Sequence, residues 1–278
     1  MENAFYYIDG DGTEHMIYMG GQRVVRYVEW RSEFGLGARH TLHSEKLPGK
    51  YANATRGVTY PSRVYGYKLF VQTCDGDDLD AMIEELEAWH DTELGIGYVK
   101  RVNRSGEIRC LDAYLQSIEV SGYQGGTPCS AMVTLTYLAD VPWWRDESMS
   151  SASDVFNDAV NVPISCANGG DIPAATYVTI TGIIDTPKLT NSDGDWIELR
   201  TSNDEAADVI IADCLPSGAT RRTVKNYEDG VGAGVFVQTT GGSKLLSLPT
   251  GTHDVTVVAA SGNATCLIEW YNYYRSLF

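Results

Sequence analysis

Short apolar stretches bounded by turn residues recur along this chain, and one segment alone carries the period of a helix. The first stretch reads as a hairpin. Phe5 to Ile8 is apolar and aromatic, Asp9-Gly10-Asp11-Gly12 tolerates positive φ, and Met16 to Met19 is apolar again. Further strands are predicted over Val24 to Trp30, Ile96 to Val102, Ile108 to Gly122 and Ala131 to Leu138. The helix is predicted from Asp77 to about Asp91. Leu79, Met82, Ile83, Leu86 and Trp89 fall at helical spacings, most acidic residues lie off that stripe, and Asp77 or Asp78 caps its start. A single amphipathic helix in a β-rich chain is expected to cover one end of a sheet.

The second half carries strand signals at intervals typical of a sandwich: Tyr177 to Ile184, Trp196 to Thr201, Val209 to Asp213, Val235 to Thr239, Thr252 to Ala259 and Thr265 to Tyr274. Between the halves, the Ser- and Asp-rich run 146–160 lacks periodicity and is read as a linker. The predicted organisation is therefore a β domain over 1–145 containing the helix 77–91, a linker over 146–160 and a β-sandwich over 161–278. Glu33 to Thr59 is expected to be a long irregular loop, and it and the Gly122 to Pro128 turn are candidate contact loops.

Composition agrees with a mainly β fold, since 28 glycines and 17 tyrosines suit strands and tight turns. The 278 residues carry 21 Lys and Arg against 37 Asp and Glu, a net charge of −16. That charge opposes phosphate backbones and anionic lipid, so neither nucleic acid nor a membrane is an expected partner. The six cysteines are scattered without a Cys-x-x-Cys, and buried free thiols are expected instead of zinc or a disulfide framework. No signal sequence or apolar span is visible, so synthesis in the cytoplasm is expected.

Chemistry-bearing motifs are sparse. A nucleophile elbow, a phosphate-binding glycine loop, a zincin helix and a histidine cluster are all missing, so no enzyme and no cofactor is expected. Asp-Gly-Asp-Gly fails the EF-hand spacing because Thr13 and Glu14 occupy ligand and glycine positions, and it is read as a turn. His40 and His43 lack a third ligand and are read as solvated. Exposed aromatics of the second domain, Trp196, Trp270 and Tyr274, are candidate glycan-stacking residues. Strand alternation also predicts that one face of the terminal strand is core. Trp143 and Trp144, beside Pro142, are expected to pack between the domains or against a neighbouring subunit.

Three stretches in succession resemble the distal tail protein (Dit) family of siphoviruses. They are Leu138-Ala139-Asp140-Val141-Pro142-Trp143-Trp144; Asn168-Gly169-Gly170-Asp171-Ile172-Pro173 with Val178 to Gly182; and Leu248-Pro249-Thr250-Gly251 with the strands after it. Tyr60-Pro61-Ser62-Arg63 is similar to the family's Pro-Arg lead-in to a central strand of the first domain. The resemblance implies an N-terminal split β-barrel-like domain that closes into a hexameric ring and a C-terminal galectin- or carbohydrate-module-like β-sandwich. It implies a structural role in the virion, at the tail tip or baseplate hub. The implied partners are further copies of the chain, the tail tube protein, the central tail tip or fibre protein or a tail-associated lysin, and the tape measure protein. The alternative function is a carbohydrate-binding adhesin for host cell-surface glycans, although the second domain lacks the long insertions of sugar-gripping family members.

Overall fold

The computed structural model describes residues 4–19, 27–34, 41–46, 53–59, 62–73, 76–90, 97–122, 130–157, 161–215, 223–228, 234–237 and 239–277. These form a mainly β chain with one described helix. The chain divides into two compact units, Met1–Glu147 with Arg275–Phe278, and Ser148–Tyr274.

The first unit contains β1 (Ala4–Ile8), β2 (Glu14–Met19), β3 (Tyr27–Phe34), β4 (Thr41–Lys46), β5 (Asn53–Thr59), β6 (Arg63–Gln72), helix α1 (Gly76–Trp89), β7 (Tyr98–Val102), β8 (Ile108–Asp112), β9 (Tyr114–Ser121), β10 (Ser130–Ala139) and β11 (Trp144–Arg145). One antiparallel sheet runs β2-β1-β7-β8-β11 and a second runs β3-β6-β10-β9. Only Ala113, itself buried, separates β8 from β9, so the chain turns from one sheet into the other at that corner. Among the described residues neither of these two sheets closes on itself, and β4 and β5 form a separate two-stranded sheet. Strict alternation on β10 and β6 buries Val133, Leu135 and Tyr137 beside Tyr65, Tyr67 and Leu69. Phe5 and Tyr7 of β1 meet these rings from the opposite sheet, with Phe5 5.1 Å from Tyr67 and Tyr7 6.0 Å from Tyr137.

Helix α1 buries Leu79, Met82 and Leu86, as its stripe predicts, while Ile83 and Trp89 are half-buried. Each fully buried large side chain contributes roughly 1.5–3 kcal/mol. The expected loop at Glu33 to Thr59 contains more structure than its composition signals. β4 and β5 pair as a two-stranded hairpin, Thr41 opposite Thr59 and Lys46 opposite Asn53. Mixed charge and glycine mask a strand when neither face carries a continuous apolar set. The side chain of His43, as well as His40, Tyr60, Pro61 and the Tyr123 to Pro128 part of the second candidate loop, lies outside the described residues.

The second unit contains β12 (Ser150–Asn157), β13 (Val162–Asn168), β14 (Ala174–Asp185), β15 (Lys188–Thr190), β16 (Trp196–Glu198), β17 (Ser202–Asn203), β18 (Val209–Asp213), β19 (Thr223–Tyr227), β20 (Val235–Phe236), β21 (Ser247–Leu248), β22 (Gly251–Val258) and β23 (Gly262–Trp270). The larger sheet runs β12-β23-β14-β18-β19-β20, and the smaller runs β13-β22-β15-β16. They form a sandwich. Val178, Ile180, Cys266 and Ile268 line the inner face of the larger sheet, and Ile164, Cys166, Val255 and Val257 that of the smaller. The linker expectation is corrected here: Ser150–Asn157 is a full strand, in register with β23 from Ser150 opposite Trp270 to Asn157 opposite Asn263. As an edge strand it buries only Phe156 of its eight residues, so its sequence carries almost no apolar signal.

Candidate functional site

The stretches that carry the family resemblance are far apart in sequence and meet in space, forming one polar-aromatic cluster in each unit. In the first, Arg63 starts β6, an inner strand of its sheet, and is 4% exposed. Its Nη1 donates to the Pro142 carbonyl at 3.2 Å, and its guanidinium lies 5.1 Å from the Trp144 ring. Trp144 is fully buried and meets Tyr65 edge-on at 5.1 Å. Trp144 thus packs on Tyr65 and Arg63 of the first unit, whereas Trp143 is half-buried. The proline places a carbonyl where the buried guanidinium needs an acceptor.

Behind this cluster runs a buried hydrogen-bond chain. The His90 Nδ1–H donates to the Leu86 carbonyl at 2.5 Å, which leaves Nε2 to accept the Tyr137 hydroxyl at 2.8 Å. Tyr137 in turn accepts from the Tyr67 hydroxyl at 3.2 Å, and Tyr7 stacks on the imidazole at 4.0 Å. Burial lowers the His90 pKa to about 4, and burial likewise raises that of Tyr137 well above its ordinary value. The hairpin turn of Asp9 to Gly12 behaves as read. The Asp9 carboxylate accepts the Asp11 and Thr13 amides and the His15 ring, and Gly12 takes φ of 86°. The hydrogen bond from His15 leads the causes that hold the Asp9 pKa below its ordinary value.

Charged side chains brace the same unit near its last strand. Arg145 is 6% exposed, donates from Nε and Nη2 to the Asp112 carboxylate, at 2.6 Å for Nη2, and lies 4.9 Å from the Tyr98 ring. Lys100 bridges Glu14 at 2.8 Å and Glu147 at 2.7 Å. Burial works against its ammonium, but the two carboxylates outweigh it and hold the Lys100 pKa above the ordinary lysine value.

In the second unit, Asn168 ends β13 and is 2% exposed. Its amide donates to the Ile172 and Leu248 carbonyls at 3.0 and 3.2 Å and accepts the Gly170 amide at 3.0 Å. Gly170 is required for close approach: a Cβ there would sit 2.5 Å from the Tyr273 carbonyl oxygen and 2.7 Å from its nitrogen. The Asn-Gly-Gly and Leu-Pro stretches are therefore two sides of one knot.

The candidate glycan-stacking aromatics differ in exposure. Trp270 is 2% exposed, its indole donates to Asn272 at 3.2 Å, and it belongs to the core. Alternation beyond it fails because β23 ends at Trp270. Tyr273 is buried through a bridge to Ile172, and Tyr271 meets it edge-on at 6.4 Å. Tyr274 is half-buried. Trp196 is half-buried under Lys188, whose Nζ lies 4.5 Å from the ring. Four cysteines, Cys110, Cys166, Cys214 and Cys266, are buried free thiols, as expected, while Cys74 and Cys129 lie outside the described residues. Among the described residues no group of three His, Cys, Asp or Glu is arranged for a metal, and no helix is long and apolar enough to cross a membrane.

Sequence reasoning missed Arg63 as an anchor, His90 and the tyrosine chain. The signal was present in Tyr65-Gly66-Tyr67-Lys68-Leu69-Phe70-Val71, where every second residue is a large apolar or aromatic one.

No protein-family model matches the sequence, and no curated protein matches it by sequence comparison. Solved structures do match across nearly its whole length. The Dit protein of phage SPP1, described as a paradigm of the hub adsorption apparatus in phages infecting Gram-positive hosts, is 12% identical, with a TM-score of 0.59 over 96% of this chain and 98% of that one. The chain has a phage hub-protein fold. A chain of the phage P2 baseplate in its activated conformation with calcium is 10% identical, with a TM-score of 0.52 over 98% of both chains. The corresponding strontium structure matches at 10% identity, TM-score 0.52 and 97% of both chains. Both units of the present chain fall within that hub-like fold.

Proposed function

We propose that this chain is a structural, non-catalytic tail protein of the distal tail protein type, forming a hexameric ring at the distal end of a siphovirus tail tube. The observation that carries the proposal is the end-to-end correspondence with the SPP1 Dit fold, 96% of this chain against 98% of that one. In that role the first unit makes the ring and stacks on the last tail-tube ring. The opposite side receives the central tip or fibre protein or a tail-associated lysin, with the tape measure protein inside the tube. Edge strands support this division: among the described residues β2 ends one sheet, and β3 and β9 end the other, positions at which neighbouring copies could pair. Trp143 is proposed to pack at a domain or subunit boundary. The protein would reside in the virion tail tip after synthesis in the host cytoplasm.

Negative-stain electron microscopy of the purified protein, with and without its tail-tube protein, tests the proposal. Six-fold rings with protruding lobes are expected. Persistent monomers in the presence of tube protein would overturn it. In the infected host, disruption of the first unit is expected to abolish tails, whereas replacing residues 148–274 by a short linker is expected to be milder. Equal loss of tails in both would count against the division of labour.

A further inference from the structure

Asn168-Gly169 is the one Asn-Gly pair in the chain. Glycine has no side chain to shield its amide nitrogen, so in an open chain that nitrogen reaches the neighbouring carboxamide carbon with little hindrance. Attack of the Gly169 nitrogen forms an N–Cγ bond on Asn168 and breaks the Cγ–Nδ2 bond. The Gly169 amide proton leaves with the departing nitrogen as ammonia. Solvent water then opens the cyclic imide at either carbonyl. One product is aspartate; the other is isoaspartate, whose main chain runs through the former side chain.

The fold holds both reacting groups out of play. Asn168 is 2% exposed, its Nδ2 donating to the Ile172 and Leu248 carbonyls and its Oδ1 accepting the Gly170 amide. The Gly169 N–H donates to Asn272 Oδ1 at 3.0 Å, an oxygen that also accepts the Trp270 indole. Asn272 is itself tied by its Nδ2, which donates to the Ser150 hydroxyl at 3.4 Å. Backbone pairing clamps both flanks: Asn168 stands opposite Gly251 at the end of the β13–β22 ladder, and the Asp171 amide donates to the Tyr273 carbonyl. Cyclisation needs the carboxamide to turn out of these bonds, the Gly169 N–H to leave its acceptor, and a base and water to enter. All three require the knot to open.

The product does not fit where the reactant did. Aspartate at 168 has no N–H for the Ile172 and Leu248 carbonyls, and its carboxylate would be buried against two carbonyl oxygens. Isoaspartate lengthens the main chain at the end of β13 and shifts the residues after it out of register with the knot. We propose that Asn168-Gly169 is a latent self-modification site, inert while the knot of the second unit is closed, converting once it opens, and then preventing its reclosure. A prolonged opening of the second unit thereby becomes irreversible. The site stands independently of ring formation.

The test holds the full chain in mildly alkaline buffer, folded and in urea. Asn168 is followed by peptide mass mapping with chromatographic separation of the aspartate and isoaspartate forms. Conversion is expected to be at least about a hundredfold slower in the folded chain, because only the open fraction reacts. Refolding yield, read by near-ultraviolet circular dichroism after increasing times in urea, is expected to fall in step with conversion. Gly169→Ala separates this site from other damage. A Cβ there meets Asn272 Nδ2 at an ordinary 3.8 Å, so the variant is expected to fold, while its methyl group hinders the attack and preserves the refolding yield. Should that variant not fold, its slower conversion in urea remains the expected result. Three results would overturn the proposal: a folded-state rate within about tenfold of that in urea, a converted chain that refolds to the original melting temperature, or conversion in urea as fast in Gly169→Ala as in the parent.

Discussion

His90 shows how one buried side chain ties stability to pH. Its folded pKa of about 4 lies below the 6.5 of an unperturbed imidazole, because burial and the nearby His15 charge outweigh the Leu86 hydrogen bond. Between those values the unfolded chain binds the proton and the folded chain does not. Stability is therefore complete above about pH 6.5 and falls as pH drops toward 4, by on the order of 3 kcal/mol. Urea unfolding at a series of pH values is expected to show this slope, and His90→Asn is expected to flatten it. Two further substitutions probe the clusters. Trp144→Ala empties a fully buried site against Tyr65 and Arg63 and is expected to cost about 3–5 kcal/mol in denaturant unfolding. Gly170→Ala forces a methyl against the Tyr273 backbone, which the Asp171 amide holds at 3.0 Å, and is expected to cost about 1–3 kcal/mol.

Among the elements, β12 gives the sharpest contrast between a reading from sequence and the fold. A linker over 146–160 would tolerate deletion, whereas an edge strand paired along its length with β23 would not. Removal of residues 150–157 is therefore expected to lower the melting temperature of the second unit and to expose it to limited proteolysis. The helix stripe, the hairpin turn and the long alternation of β10 were legible because each presents apolar side chains to one core at one period. β12, β4 and β5 were not legible, since their pairing is set by backbone hydrogen bonds to a neighbour and leaves little mark on side-chain type. Arg63 was singled out as a strand lead-in, but its anchoring contact was not legible, since its acceptor is a carbonyl 79 positions away. Trp270 misled because an aromatic residue in a strand reads the same whether its face is wet or dry.

For the molecule as a whole, a net charge of −16 bears on the proposed ring assembly. In the proposed ring, like-charged copies would repel one another over a screening length of about 10 Å at 0.1 M salt. The fraction of protein in rings, measured by analytical ultracentrifugation, is expected to rise from low salt to near-physiological ionic strength. A fall over that range would mean that ion pairs between subunits, rather than apolar and backbone contacts, dominate the interface.

The four buried thiols give each unit a chemical alarm of its own. Burial pushes the pKa of Cys110 up to about 12 in the first unit, and those of Cys166 and Cys266 to about 11 and about 12 in the second. A thiol that is both inaccessible and protonated does not attack an alkylating reagent. Once Cys74 and Cys129 are replaced by serine, any adduct on Cys110 dates the opening of one unit, and any adduct on Cys166, Cys214 or Cys266 dates the opening of the other. Pulsed alkylation followed by peptide mass mapping would then time the two openings separately in a single tube, without a dye, a tag or a truncated chain.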